Sequence, residues 1–392
     1  MGDIMNDGLP PIAPDVAVDE ALPEDDAADV PIPQGPKLFL VHFEQYSANM
    51  GQTVILGSAL RAEGWDVHIV CRASCRLAED AREWDLPVHT FPDDMGKGFF
   101  AAWKLVRLVR KHGLKKRKEG LLHACDPTAS HVVSQAWRLV KSLRIVHTRR
   151  IPIMEANTKA IRCYQTPPAK IVTDSLAGKI ALRLSGLEPH LLHTIACGVE
   201  PPKQSVRRER GDNRIVFAVT GDLLPSSGHS LLFDALVLLG KEPDMPPWEV
   251  RILGAGPSFQ HLLEEAQSKN IAGRLAFLSG VDTAEQLPLC DILVLPSIEG
   301  ESHMPLILQG WATGLPLIAI NRLDHAENFQ NENNCLLAQP GDATELVAQM
   351  VRLAKDTAFR THLVNGGRAS LAKFPVQNMV LEYKRLYGQI LA

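Results

Sequence analysis

The 392-residue sequence is defined first by several absences. No eighteen consecutive residues are apolar, so no segment reads as a membrane-spanning helix. The seven cysteines (Cys71, Cys75, Cys125, Cys163, Cys197, Cys290 and Cys335) are scattered. No Cys-x-x-Cys pair has a partner pair, which excludes a zinc ribbon, and the odd count fits reduced thiols in a cytoplasm. Residues 1–36 have no Lys, Arg or aromatic residue but nine acids. Such a stretch cannot bury enough surface to offset its ordering entropy, and it lacks the basic start and apolar core of a signal peptide. It is expected to be a disordered acidic tail. The remaining chain has 36 acids (45 less the nine) against 41 bases, about +5.

What is present is ordinary soluble-protein material: 45% hydrophobic and 22% charged residues, enough for two cores. Leu38-Phe39-Leu40-Val41-His42-Phe43 reads as a buried strand, residues 53–63 as a helix closed by Gly64, and 66–71 as a second strand. Strand, helix, strand in that order is a βαβ unit and predicts a parallel sheet. Further strands are expected at 88–91, 120–124, 145–148 and 170–173. Turn-rich Cys197-Gly198-Val199-Glu200-Pro201-Pro202 and the polar stretch 203–213 predict a linker. A second doubly wound sheet follows, with strands at 214–219, 248–253, 275–278, 291–295 and 317–320 and helices at 343–355 and 376–391. The expected organisation is a tail (1–36), a first Rossmann-like domain (37–202), a second (203–375) and a last helix (376–392) crossing back to the first.

The best-marked region is 290–342. A strand ends at Pro296-Ser297, the loop Ile298-Glu299-Gly300-Glu301-Ser302-His303-Met304 follows, and a helix begins near Pro305 and stops at Gly314. A helix N-terminus fed from a strand's carboxyl end is an anion site, suited to a diphosphate.

Pro296-Ser297, the acid-rich loop, Pro305-Leu306, Gly314-Leu315-Pro316 and Asn334-Cys335-Leu336-Leu337-Ala338-Gln339-Pro340-Gly341-Asp342 resemble the signature of the large retaining glycosyltransferase family with the GT-B fold. Gly254-Ala255-Gly256-Pro257, Phe277-Leu278-Ser279-Gly280 and Cys197-Gly198-Val199-Glu200 resemble its other segments. The resemblance implies an α/β GT-B protein: two Rossmann-like domains facing a cleft, a nucleotide diphosphate-sugar on the second, and a saccharide or lipid-linked acceptor on the first. No metal or other cofactor is expected, since no Asp-x-Asp motif occurs, and no nucleic acid partner.

Residue by residue, the resemblance implies Glu301 as the carboxylate that positions the sugar and Gln309, with seven residues between them, at the ribose. Gly51, Gly221, His229, Gly254, Gly256, Ser302, Met304, Pro305 and Leu306 complete the donor-site candidates. His123 is the second catalytic candidate, against the alternative of a core histidine. Arg149 and Arg150 are candidates for the acceptor or a phosphate, against surface arginines. Five residues depart from the family pattern. Asp222 and Ser227 stand where an Arg and a Lys are expected, Gln309 replaces an acid, Met50 replaces one of two glycines, and the family's histidine pair appears as His123-Ala124-Cys125. His229, if protonated, would restore part of the missing charge. The alternative reading is a catalytically degenerate member that binds a sugar or a partner protein.

One segment suggests a membrane surface. Phe99, Phe100 and Trp103 mix with Lys104, Arg107, Arg110 and Lys111, leading into Lys115-Lys116-Arg117-Lys118. This pattern suits an anionic interface, against a core-facing helix with a solvated basic end. The expected location is the cytoplasm, with peripheral contact on the inner face of the membrane.

Overall fold

A computed structural model describes residues 35–45, 47, 49–96, 98–114, 119–150, 161–165, 169–200, 213–298, 302–322 and 326–392. The acidic tail, most of the linker, Lys115–Lys118 and Glu301 lie outside the described residues.

The first domain runs β1 (Lys37–His42), α1 (Met50–Ala62), β2 (Asp66–Arg72), α2 (Leu77–Glu83), β3 (Val88–Phe91), α3 (Phe99–Lys111), β4 (Gly120–Ala124), α4 (Pro127–Leu139), β5 (Ile145–Thr148), β6 (Lys170–Thr173), α5 (Leu176–Leu184) and β7 (Leu192–Thr194). Its sheet has the order β3-β2-β1-β4-β5-β6-β7, all parallel. The second domain runs β8 (Ile215–Thr220), α6 (His229–Leu239), β9 (Trp248–Leu253), α7 (Phe259–Ser268), β10 (Leu275–Leu278), α8 (Thr283–Gln286), β11 (Ile292–Leu295), α9 (Met304–Thr313), β12 (Leu317–Ile320), β13 (Leu336–Ala338), α10 (Ala343–Lys355) and α11 (Thr357–Leu371). Its parallel sheet has the order β10-β9-β8-β11-β12-β13.

The central strands are buried on both faces, which is why β1 and β8 are apolar without alternation. The three-residue strands β7 and β13 close one edge of each sheet and have no sequence signal of their own. They are strands because a neighbour supplies the ladder. α1 begins three residues before its apolar pattern does, at Met50.

The last helix, α12 (Val376–Leu391), packs in the first domain's core, where Val376, Met379, Val380, Tyr383, Leu386, Tyr387 and Ile390 join Leu38, Leu40, Val54 and Leu60. The chain thus passes between the domains at two places, and these run side by side. Val199 N–H donates to Phe374 O at 2.9 Å, and Val199 bridges Pro375. The Gln52 side chain clamps this crossing to α1: its amide donates to Gly198 O (2.9 Å) and its carbonyl accepts Gly198 N–H (3.0 Å).

Candidate functional site

In doubly wound sheets the crevice opens where strand order reverses, beyond the carboxyl ends of the strands. In the second sheet that point lies between β8 and β11. The loop after β8 (residues 221–228) and the loop after β11 (296–303) meet there. Gly228, with φ of 73°, sits so close to Pro296 that a Cβ would lie 2.0 Å from its carbonyl oxygen, so only glycine permits this contact. Ser297 Oγ then donates to Ser226 O at 3.2 Å.

The second loop delivers the chain to the N-terminus of α9. Ser302 is buried and its Oγ accepts Met304 N–H at 3.3 Å. Met304 is buried, while Pro305 and Leu306 are half-buried. Pro305 has no N–H, Met304 N–H is taken by Ser302 Oγ and Ile307 N–H by His303 O, so the Leu306 amide and the helix dipole form the anion-attracting end.

Sequence reasoning missed a cation here. Arg322, two residues past β12, is 8% exposed. Its guanidinium donates to Ser297 Oγ (3.2 Å) and lies 3.4 Å from His303 Nδ1. It lines a small cavity with Leu295, Ser297, His303, Ile307 and Phe329. A single Arg after a strand carries no motif. Only the convergence of β11, α9 and β12 reveals its place.

Several site candidates take different roles in the structure. Gly254 and Gly256 are required by backbone packing: a Cβ would fall 2.0 Å from Gly221 O and 2.4 Å from Leu223 O respectively. Gly221 has φ of 123°. These glycines shape the loops. Gly51 needs no glycine geometry: it is an exposed first-turn residue of α1, with open space where a Cβ would be. The idea that a protonated His229 restores the missing charge is overturned. The residue is 4% exposed, neither ring nitrogen has a hydrogen-bond partner among the described residues, and burial lowers its pKa to about 4. Asp222 O accepts Ser227 Oγ at 2.6 Å, so these two departures from the family pattern brace one turn. The Gln309 amide donates to Thr283 Oγ1 at 2.8 Å.

His123 is also not offered to a ligand. It is 1% exposed, with Nδ1 2.7 Å from Tyr387 Oη and Nε2 2.7 Å from Thr148 Oγ1. Burial, then the nearby Arg150 and His147, push its pKa down to about 3. It holds α12 against β4 as a neutral core histidine. Cys125 is a buried thiol whose pKa burial pushes up to about 12. His147, fully buried, is held neutral by burial with a pKa of about 3.

Arg149 and Arg150 are not a surface pair. The Arg149 guanidinium lies over the Tyr164 ring at 5.9 Å, with NH1 3.4 Å from its hydroxyl. The Arg150 side chain is 8% exposed, with Nε 3.9 Å from the Asp174 carboxylate. Burial works against its charge, but Cys197, Tyr383 and Asp174 nearby raise its pKa above the ordinary value. Its backbone carbonyl accepts Ser302 N–H at 2.9 Å, so the first domain touches the loop that feeds α9. Arg76 NH1 donates across the same divide to Val281 O at 3.0 Å.

Residues 214–356 match the family model described as glycosyl transferases group 1. Among curated proteins, the chain is 29% identical over 142 residues to N-acetyl-alpha-D-glucosaminyl L-malate synthase of Bacillus anthracis, covering 36% of this chain and 37% of that protein. It is 25% identical over 272 residues to the lipopolysaccharide core biosynthesis glycosyltransferase LpsE of Rhizobium meliloti, covering 68% and 75%. The first of these matches thus spans little more than a third of the relative's length. Among solved structures, HepE of Anabaena in complex with UDP and glucose superposes with a TM-score of 0.76 at 15% identity, over 90% of this chain and 100% of that one. The fold is GT-B: two parallel-sheet, Rossmann-like domains.

Proposed function

We propose that this protein is a glycosyltransferase that moves a sugar, with retention, from a nucleoside diphosphate-sugar to a saccharide or lipid-linked acceptor. The observation that carries the reading is the amide end of α9 at the second sheet's switch point, flanked by the buried Arg322. A leaving diphosphate gathers negative charge in the transition state, and fixed donors aimed at it lower the barrier. The loop at 221–229 lacks the Arg and Lys that the family resemblance calls for, and Arg322 offers the compensating charge from another strand. The N-terminus of α9 binds the diphosphate through its dipole and the Leu306 amide, and Glu301, in the loop before α9, positions the sugar. Gln309 contributes a neutral hydrogen bond at the ribose, weaker than a carboxylate would make. The first domain presents the acceptor hydroxyl, and domain closure excludes the water that would hydrolyse the donor.

The names of the relatives and the UDP and glucose held by HepE support this reading and make UDP the first ligand to try. The amphipathic α3 supports peripheral contact with an anionic membrane, where a lipid-linked acceptor would lie.

The test is calorimetric titration with a panel of nucleosides, nucleoside diphosphates and their sugars, followed by transfer assays and assignment of the product anomer by NMR. The diphosphate should contribute most of the affinity over the bare nucleoside, and Arg322→Gln should slow transfer by about 100- to 1000-fold. Binding that does not distinguish nucleoside from nucleoside diphosphate would remove α9 as the site. Diphosphate-sugar binding without transfer to any acceptor would favour the degenerate binder.

A further inference from the structure

A second site lies in the first domain, away from the cleft. His68 on β2, His89 on β3 and His112 at the C-cap of α3 converge, with one ligand nitrogen from each lying within 4.8 Å of the others. His68 Nδ1 and His89 Nε2 are 3.0 Å apart, and the His112 ring lies 4.9 and 4.5 Å from theirs. His68 and His89 are buried, and His112 is half-buried. The far side of His68 is also organised: its Nε2 lies 3.2 Å from Asp66 Oδ1, and Asp66 is held by Lys37 at 2.6 Å. Phe39 stacks flat against the ring at 4.7 Å and 9°.

We propose that His68, His89 and His112 form a binding site for a first-row divalent metal ion, with Zn²⁺ as the favoured occupant. Three imidazoles suit zinc, copper or nickel, and disfavour magnesium and calcium, which take oxygen ligands. Zinc takes histidine nitrogens at about 2.0–2.1 Å, which places ligand atoms roughly 3.3 Å apart. The His68–His89 pair is already near that spacing, and small ring movements of His112 complete it. The Asp66 carboxylate draws the His68 proton to Nε2 and leaves the Nδ1 lone pair for the metal, the usual carboxylate–histidine–metal arrangement. Water completes the tetrahedron.

The position argues for a structural role. His68 is the third of seven residues in β2 and pairs with the sequence neighbour of none of the cleft loops: its ladder partner is Phe39, near the start of β1. These parallel strands carry their cleft loops at the other end. A metal here would pin edge strand β3 and the C-terminal end of α3 to β2, and so fix the helix that presents Phe99, Phe100 and Trp103.

The experiment uses the full chain, untagged and freed of metal with EDTA, titrated with Zn²⁺ and with Co²⁺. One equivalent should bind. Cobalt should give the d–d bands of a tetrahedral nitrogen site without thiolate charge transfer, and zinc should raise the melting temperature. His112→Gln, at a half-buried helix end, should keep the wild-type melting curve in EDTA. It should lose metal affinity by more than the roughly 10- to 100-fold expected for Asp66→Asn, which removes only the outer partner. Cys71→Ser with Cys75→Ser should bind as wild type does. No stoichiometric binding, a thiolate band, or affinity unchanged in His112→Gln would overturn the proposal.

Discussion

The backbone carbonyl of Arg150 accepts the amide of Ser302 at 2.9 Å, joining the end of β5 in one domain to the loop before α9 in the other. The Arg150 side chain points the other way, into the protein, toward Asp174. One residue thus couples an interior ion pair to the loop of the proposed donor site. Removing one partner of a buried pair strands the other, at about 3–5 kcal/mol. Arg150→Met is expected to lower stability in urea unfolding by that order. Arg150→Met with Asp174→Leu should recover much of it. Additive losses in the double variant would show that the two side chains do not act as a pair.

Two glycines from the same family pattern should respond in opposite directions. Gly254→Ala forces a Cβ to 2.0 Å from Gly221 O and is expected to destabilise by about 1–3 kcal/mol. Gly51→Ala meets open space on a helix and should stabilise by about 0.5–1 kcal/mol. If the donor approaches the α1 end closely, Gly51→Ala will nevertheless reduce transfer. A more stable variant with full activity would remove Gly51 from the donor site.

Stability should fall on mild acidification. His123 and His147 have pKa values lowered to about 3 and His229 to about 4, from 6.5. The unfolded chain therefore binds these protons first, between pH 6.5 and about 3–4. Stability is full above pH 6.5 and declines below it, by up to about 1.4 kcal/mol per pH unit for each histidine. Urea midpoints at pH 7.5, 6.5 and 5.5 measure the slope. His229→Leu, which removes two unsatisfied buried nitrogens, should reduce that slope at little cost at pH 7.5. An unchanged slope would mean that His229 is not buried as a neutral ring.

The outer face of α3 should meet anionic lipid. Phe99, Phe100 and Trp103 are 58%, 77% and 49% exposed, beside Lys104 and Arg107. Vesicles containing anionic lipid should bind the protein at low salt and release it near 1 M, where the screening length falls to about 3 Å. Phe100→Ser with Trp103→Ser should weaken binding. Equal binding to neutral vesicles would argue against the electrostatic part.

Repeated apolar runs alternating with helical spacing are local properties of the chain, and they determined the two parallel sheets and most strand limits by themselves. So did the start of α9, because Pro305 and the Gly314 stop are written within ten residues of each other. The chemistry of the side chains was decided elsewhere. His123 read as a catalytic polar group or a core histidine, and His229 as a protonated substitute for a missing charge. Only packing by α12 and by the core of the second domain made them neutral interior rings, because burial depends on elements hundreds of residues away. Arg322 and the histidine cluster had no sequence signal. Arg322 reaches Ser297 across 25 positions, and His68, His89 and His112 come from two strands and a helix end. Contacts of that kind exist only after the strands are laid side by side, since strand order in a parallel sheet is set by the crossovers and not by any short pattern of residues.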